Sequence, residues 1–236
     1  MADRNLLVFG ARNLGRELCV QLAREGWGTA AVAQSEETIA RLPPETLGIV
    51  ADASVGDEAE RAFAEARERL GGLDLVVNAI TVRPRNGFGG GPIADARPEA
   101  IEPYLQELVP AIFNVVRLGC RALLEEGAGT LVQVTGGSAR RGMPKRGPWT
   151  MGAFATRALV QSAAAEMRER GVHVALLIVD ATIENEKSAA MLADKPPEAS
   201  ASQDEIVRAI EYLASQSPRA WTHELQLTPA GERWVP

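Results

Sequence analysis

Residues 6–26 read L-L-V-F-G-A-R-N-L-G-R-E-L-C-V-Q-L-A-R-E-G. The apolar run Leu6 to Phe9 is short and lacks polar alternation, which predicts a strand buried on both faces. The turn Gly10-Ala11-Arg12-Asn13-Leu14-Gly15 follows at once, and a helical pattern then runs from about Leu14 to Glu25 and stops at Gly26. Glycines in such a turn let backbone approach a pyrophosphate, which the helix N-terminus attracts through free N–H groups and its dipole. The same residues also make an ordinary strand–helix turn with no ligand, and two glycines alone do not decide between the two.

The alternation continues outward. Thr29–Ala33, Leu47–Ala51, Leu73–Ala79, Thr130–Thr135, Val172–Val179 and Glu224–Leu227 are predicted strands. Between them lie a short helix from Glu36 that stops before Pro43-Pro44, and a charged helix over Asp57–Leu70 closed by Gly71-Gly72. Helical spacing returns from roughly Glu99 to Leu124, interrupted by Pro103 and Pro110, then over Met151–Arg170 and Asp204–Ser215. Strict βαβ alternation implies a parallel sheet with helices on both faces. The expected fold class is α/β: one Rossmann-type, doubly wound parallel sheet of about seven strands, forming a single domain over residues 1–236. A flexible loop is expected at Arg83–Pro92, R-P-R-N-G-F-G-G-G-P.

Composition narrows the function classes. The chain has 236 residues, 46% hydrophobic and 24% charged, with a net charge of −6. A nucleic-acid partner needs a basic face to neutralise phosphates, and that balance argues against one. Cys19 and Cys120 stand in helix-like segments without metal-ligand spacing, so they read as core thiols of a reducing cytosol. The N-terminus runs from charge straight into a strand, and no run approaches the roughly 20 apolar residues of a membrane span. The expectation is a cytoplasmic protein with a small-molecule ligand and no membrane partner.

On these motifs the chain resembles the short-chain dehydrogenase/reductase family. The family carries T-G-x-x-x-G-x-G after its first strand; here Phe9 replaces the Thr, one residue is missing, and Asn13 stands where the middle Gly would be. Asn tolerates left-handed backbone better than most residues, so it is expected to serve as that glycine's substitute. Val77-Asn78-Ala79-Ile80 stands where the family has N-N-A-G, and Thr135-Gly136 follows the expected fifth strand. The resemblance implies a cofactor site at Gly10, Arg12, Asn13, Leu14, Gly15, Ser35, Asp52, Ala53, Asn78, Ala79 and Ile183. Asp52 falls at the family's adenine contact. NAD-specific relatives end the second strand with an acidic residue, whereas this chain has Gln34-Ser35. Arg12 falls where NADP-dependent relatives place a basic residue, so the resemblance favours NADP over NAD; a solvated loop charge is the plainer reading of Arg12.

The family's chemistry uses a Tyr as proton donor and a Lys four residues later that lowers its pKa. A Ser thirteen residues before the Tyr polarises the substrate, and an Asn in the preceding helix orders a water. Aligned on the fifth strand and on Glu166, those positions hold Trp149, Ala153, Gly136 and, near the prolines, Ile112. An indole does not ionise near neutral pH, and Gly and Ala offer nothing to proton transfer. The tyrosines are Tyr104 and Tyr212, neither in the stretch after the fifth strand. His173 opens the sixth strand and His223 precedes the last, both at the edge opposite the expected cleft. Thr135 and Asp180 are the substitute candidates at the correct edge, Asp180 as a base. The run R-R-G-M-P-K-R-G-P at 140–148 reads as a solvated loop or an oligomer contact, or more sharply as an anion-binding lip over the cleft.

Three functions follow. The first is an NADP(H)-binding relative that is non-catalytic or strongly altered. The second is an oxidoreductase for a carbonyl or alcohol with a non-standard proton relay, since acid–base help accounts for about 10²–10⁴ in rate and positioning supplies the rest. The third is a non-redox enzyme reusing the cleft. The resemblance also implies a homodimer or homotetramer, paired through the helices beside the fifth strand. The later helix carries small residues for that contact: Gly152, Ala153, Ala155, Ala158 and Ala163–Ala165.

Overall fold

The computed structural model describes residues 2–81 and 91–232. The loop expected at Arg83–Pro92 lies, up to residue 90, outside the described residues. Seven strands form one parallel sheet: β1 (Asn5–Phe9), β2 (Gly28–Ala33), β3 (Leu47–Val50), β4 (Leu75–Asn78), β5 (Gly129–Gly136), β6 (Val172–Val179) and β7 (Glu224–Leu227). Their order is β3-β2-β1-β4-β5-β6-β7. β1 takes β2 on one side and β4 on the other, Leu6 pairing with both Thr29 and Leu75. The winding therefore reverses at β1/β4, which opens a crevice at the carboxyl ends of those strands.

Helices cover both faces, as a Rossmann-type doubly wound sheet requires. On one side lie α1 (Leu14–Arg24) and α7 (Gln203–Ala214), packing Leu18, Leu22, Ile206 and Ile210 onto Leu6, Val8 and Leu177. On the other lie α3 (Gly56–Leu70), α4 (Val109–Glu126) and α5 (Gly147–Met167), packing Phe63, Val115 and Val160 around Phe9, Val76 and Leu131. Phe9 and Phe63 stack with centroids 5.1 Å apart. Two short helices, α2 (Glu36–Ile39) and α6 (Ala189–Leu192), sit in the connections. All eight residues of β6 are buried, which explains its nearly unbroken apolar run.

Local chemistry sets the boundaries. Ser202 caps α7, its hydroxyl accepting from the Glu205 amide at 3.2 Å, and left-handed Gly71 closes α3. The helix expected from Glu99 breaks into a 3₁₀ turn at Pro98–Ile101 and a π-helical turn at Pro103–Leu108 before α4 begins. Prolines 103 and 110 lack the amides a continuous α-helix needs there, and a wider turn absorbs the loss. α5 starts at Gly147, four residues earlier than expected, with Pro148 in its first turn, where a missing amide costs nothing. Trp149 is thereby helical.

Cys19 and Cys120 are buried, and burial pushes their thiols up to about 12 and about 11. No helix among the described residues is long and apolar enough to cross a membrane.

Candidate functional site

The positions assigned to a cofactor gather along the carboxyl edge of the sheet. Gly10 to Gly15 follow β1, Ser35 follows β2, Asp52 and Ala53 follow β3, Asn78 and Ala79 close β4, and Ile183 lies past β6. Gly10 has φ +94°, and a Cβ there would stand 2.6 Å from the carbonyl oxygen of Ala79. Close approach of the β1 and β4 exits thus demands glycine before any ligand is considered. Asn13 does not take the left-handed conformation expected of it. Its φ is −119°, and the shortened turn places its positive φ at Gly10 instead. Asn13 precedes α1 without a side-chain cap bond, so its side chain leaves the first amides of that helix unsatisfied.

Several of the remaining positions have local partners. Ser35 caps α2, accepting from the Thr38 amide at 3.3 Å, while Arg12 is exposed. Oδ1 of Asp52 accepts from the amide and hydroxyl of Ser54 at 2.8 and 2.6 Å. Burial raises the Asp52 pKa, but these bonds and one from Gln34 outweigh it, and the carboxyl lies below its ordinary range. Asn78 is fully buried, its Oδ1 accepting from the Ile80 amide at 3.1 Å. The Ile183 carbonyl accepts from Asn185 Nδ2 and Ser188 Oγ, at 2.9 and 2.8 Å. Beyond it a cavity of about 450 Å³ opens, lined by Glu184, Asn185, Ser188, Leu192 and Lys195 among others.

The sequence reading missed Asn114. This buried side chain donates from α4 to the carbonyls of Ala53 and Ser54, at 3.0 and 3.3 Å, and pins the turn that carries Asp52. A lone Asn among apolar helix residues was the signal available.

The four positions that the resemblance assigns to a proton relay hold no titratable group. Ile112 of α4 is buried in the core, and Gly136 ends β5. Trp149 packs on that core and meets Tyr104 edge-on, with centroids 5.9 Å apart. Ala153 is buried behind it. Tyr104 is buried too, and its hydroxyl has no hydrogen-bond partner among the described residues; burial raises its pKa. Thr135 stands next to Gly136 on β5. Asp180 follows β6, with both carboxylate oxygens taken by Arg141, so a substrate proton would have to compete with a guanidinium. His173 and His223 lie at the far edge: His173 stacks on Trp221 with centroids 5.1 Å apart, and Nε2 contacts the Thr222 carbonyl at 2.9 Å.

The basic run after β5 is partly neutralised. Arg140 approaches Glu224 at 3.6 Å and Arg141 pairs with Asp180, while Arg157 of α5 donates to Glu224 at 2.7 and 2.8 Å. Burial raises the Glu224 pKa, but the bonds from Arg157 and Gln161 win and leave it low.

Residues 4–189 match the sequence profile of the short chain dehydrogenases. The chain belongs to that family. Among relatives it is 23% identical to a 3-oxoacyl-(acyl-carrier-protein) reductase of Staphylococcus epidermidis, over 92% of this chain and 93% of that one. It is 26% identical to an acetoacetyl-CoA reductase of Allochromatium vinosum, over 91% and 92%. Solved structures share the fold. A short-chain dehydrogenase/reductase from Mycobacterium ulcerans superposes with a TM-score of 0.86 at 19% identity, over 97% of this chain and 90% of that one. A gluconate 5-dehydrogenase from Burkholderia cenocepacia, in complex with NADP and tartrate, gives 0.81 at 20% identity, over 97% and 95%.

Proposed function

We propose that this short-chain dehydrogenase relative binds NADP(H) in its crevice but has lost the family's proton relay, so that it is non-catalytic or strongly altered. One feature carries the reading: the positions that the family resemblance assigns to the relay hold Ile112, Gly136, Trp149 and Ala153, and none of these exchanges a proton near neutral pH. The residues present fit a dinucleotide at its phosphate end. An uncapped helix N-terminus follows a turn of bare backbone at Gly10, and Asn13, Leu14 and Gly15 lead into it. Asp52, Ala53, Asn78 and Ala79 would hold the adenosine half, Arg12 and Ser35 the 2′-phosphate, and Ile183 the nicotinamide. A bound nicotinamide supplies hydride chemistry; the chain's own part is to hold it and exclude water.

Titration with NADPH and NADH, followed by nicotinamide fluorescence, tests this. NADPH is expected to bind more tightly, Arg12→Ala to erase the preference, and a panel of ketones and aldehydes to go unreduced. Equal affinities in the parent would sink the role of Arg12. Turnover at ordinary enzyme rates would sink the loss of function.

A second reading, an active carbonyl reductase with another relay, draws support from the reductase names of relatives that span over 90% of this chain. Thr135 and Asp180 are then the residues to test first.

The reading includes a single cytoplasmic domain that assembles as a homodimer or homotetramer. Leu105, Phe113, Met151 and Phe154, apolar yet 43–56% exposed on the π-helical turn, α4 and α5, support pairing through those helices. Gly152 and Ala153 face inward, so the small residues left for that contact are Ala155, Ala158 and Ala165.

A further inference from the structure

One charged pair stands at the ligand edge of the sheet. The register joins Gly136 of β5 to Val179 of β6, so the next residues, Gly137 and Asp180, are neighbours just past the strand ends. The Asp180 carboxylate rests on the bare Cα of Gly137: a Cβ at 137 would lie 1.9 Å from Oδ1. Nη1 of Arg141 donates to Oδ2, and Nη2 to Oδ1 at 3.3 Å. The Asp180 side chain is 6% exposed and that of Arg141 22%. The acid is therefore inside, and the guanidinium beside it is partly exposed.

Stability does not account for such a pair. Desolvating two charges offsets their attraction, and well-packed apolar residues of similar size serve a fold as well or better. The place matters more, because sheets of this winding take ligands past the carboxyl ends of their strands. Positive charge also dominates here. Residues 136–165 contain Arg140, Arg141, Lys145, Arg146 and Arg157 and no Asp or Glu. Among the described residues, Asp180 pairs with Arg141 of this stretch, and Glu224 with Arg157 and Arg140.

We infer that Arg141, oriented by the buried Asp180, is the ligand-anchoring residue of this cleft, and that its ligand carries a carboxylate. The inference rests on the reading of this edge as the ligand cleft. A guanidinium offers five N–H donors in a rigid planar fork that matches a carboxylate, and a fixed acid behind it sets the plane of that fork. Gly136 is uncrowded, since among the described residues a Cβ there would meet nothing nearer than the Val179 carbonyl at 3.9 Å. A family relative grips the reacting oxygen with hydroxyls; this cleft would grip an acid by its charge.

The test is an NMR titration of the full chain with acetoacetate and with its neutral isostere pentane-2,4-dione, without cofactor. The parent is expected to bind acetoacetate at least tenfold more tightly. The double variant Arg141→Gln with Asp180→Asn, which keeps shape and leaves no lone buried charge, should abolish that preference. Arg141→Lys should weaken it, and Lys145→Gln should preserve it. Equal binding of the two probes by the parent, binding of neither, or a preference that survives the double variant would each overturn the inference. NADPH affinity, read separately by fluorescence, tells failure of the cofactor reading from failure of this one.

Discussion

The indole of Trp149 meets the ring of Tyr104 edge-on, at 5.9 Å between centroids and 72° between planes. One ring stands at the position the family resemblance assigns to a proton donor; the other is a phenol buried beside it without a hydrogen-bond partner among the described residues. Trp149→Ala should open the space next to the crevice and improve binding of small ligands, without creating turnover. Because Trp149 is only partly buried, its stability cost should fall below the about 3–5 kcal/mol of a fully buried ring. Urea unfolding and ligand titration of the same variant check both halves.

Tyr104→Phe removes an orphaned hydroxyl. Burying such a group without a partner costs about 1–3 kcal/mol, so the variant should be as stable as the parent or more so. A drop of more than about 1 kcal/mol in urea unfolding, the scale of one lost hydrogen bond, would show that the phenol is engaged.

Gly136 and Gly137 are adjacent but not equivalent. A Cβ at 136 clears its nearest neighbour by 3.9 Å, whereas one at 137 collides with Asp180. Gly136→Ser should therefore fold normally and Gly137→Ser should be destabilised. Combining Gly136→Ser with Trp149→Tyr and Ala153→Lys is expected to confer weak NADPH-dependent carbonyl reduction, with each single change nearly silent, because the three groups act as a unit. The lysine is the demanding member, since residue 153 is buried. Reduction assays on the three singles and the triple decide it.

Gly10→Ala should destabilise the fold by more than the about 1–2 kcal/mol of a left-handed L-residue, since the new methyl also meets the Ala79 carbonyl at 2.6 Å. NADPH affinity should fall with it. Unchanged urea stability would mean that the β1 and β4 exits are not in close contact.

Burial holds the His173 pKa below its ordinary 6.5, against the bond to the Thr222 carbonyl that raises it. The folded chain thus binds this proton less readily than the unfolded one. The stability involved is complete above about 6.5 and is lost as pH falls through the lower, folded value. His173→Phe should flatten that part of the stability–pH curve as pH falls below about 6.5. An unaltered slope in thermal unfolding across that range would remove His173 from the account.

Much of the fold is legible in the sequence because period and punctuation agree. The Val172–Val179 run and the Gly71 stop fall where the pattern places them. The region 98–108 was not legible, because two prolines force a choice among turn types that only packing against α5 settles. Asn13 misled for a related reason: a propensity for left-handed backbone does not say which residue of a shortened turn adopts it. The residue types at the positions assigned to a relay are readable in the sequence alone. The Arg141–Asp180 pair was not, because its members lie 39 residues apart and meet only through the β5–β6 register.

The strand order also governs how the chain is made. β4 returns to β1, and from β5 onward each new strand docks on the edge its predecessor has just formed, so the growing chain finds its pairing site already built. The exception in time is the interval after β6, when a strand of eight residues, all apolar but His173, waits for β7 to arrive from residue 224. A chain stalled or cut between 180 and 223 presents that edge bare, and an unpaired apolar edge recruits other strands. The four residues of β7 are thus the stopper of the sheet, and chains that lack them should go to aggregate rather than to a smaller soluble fold.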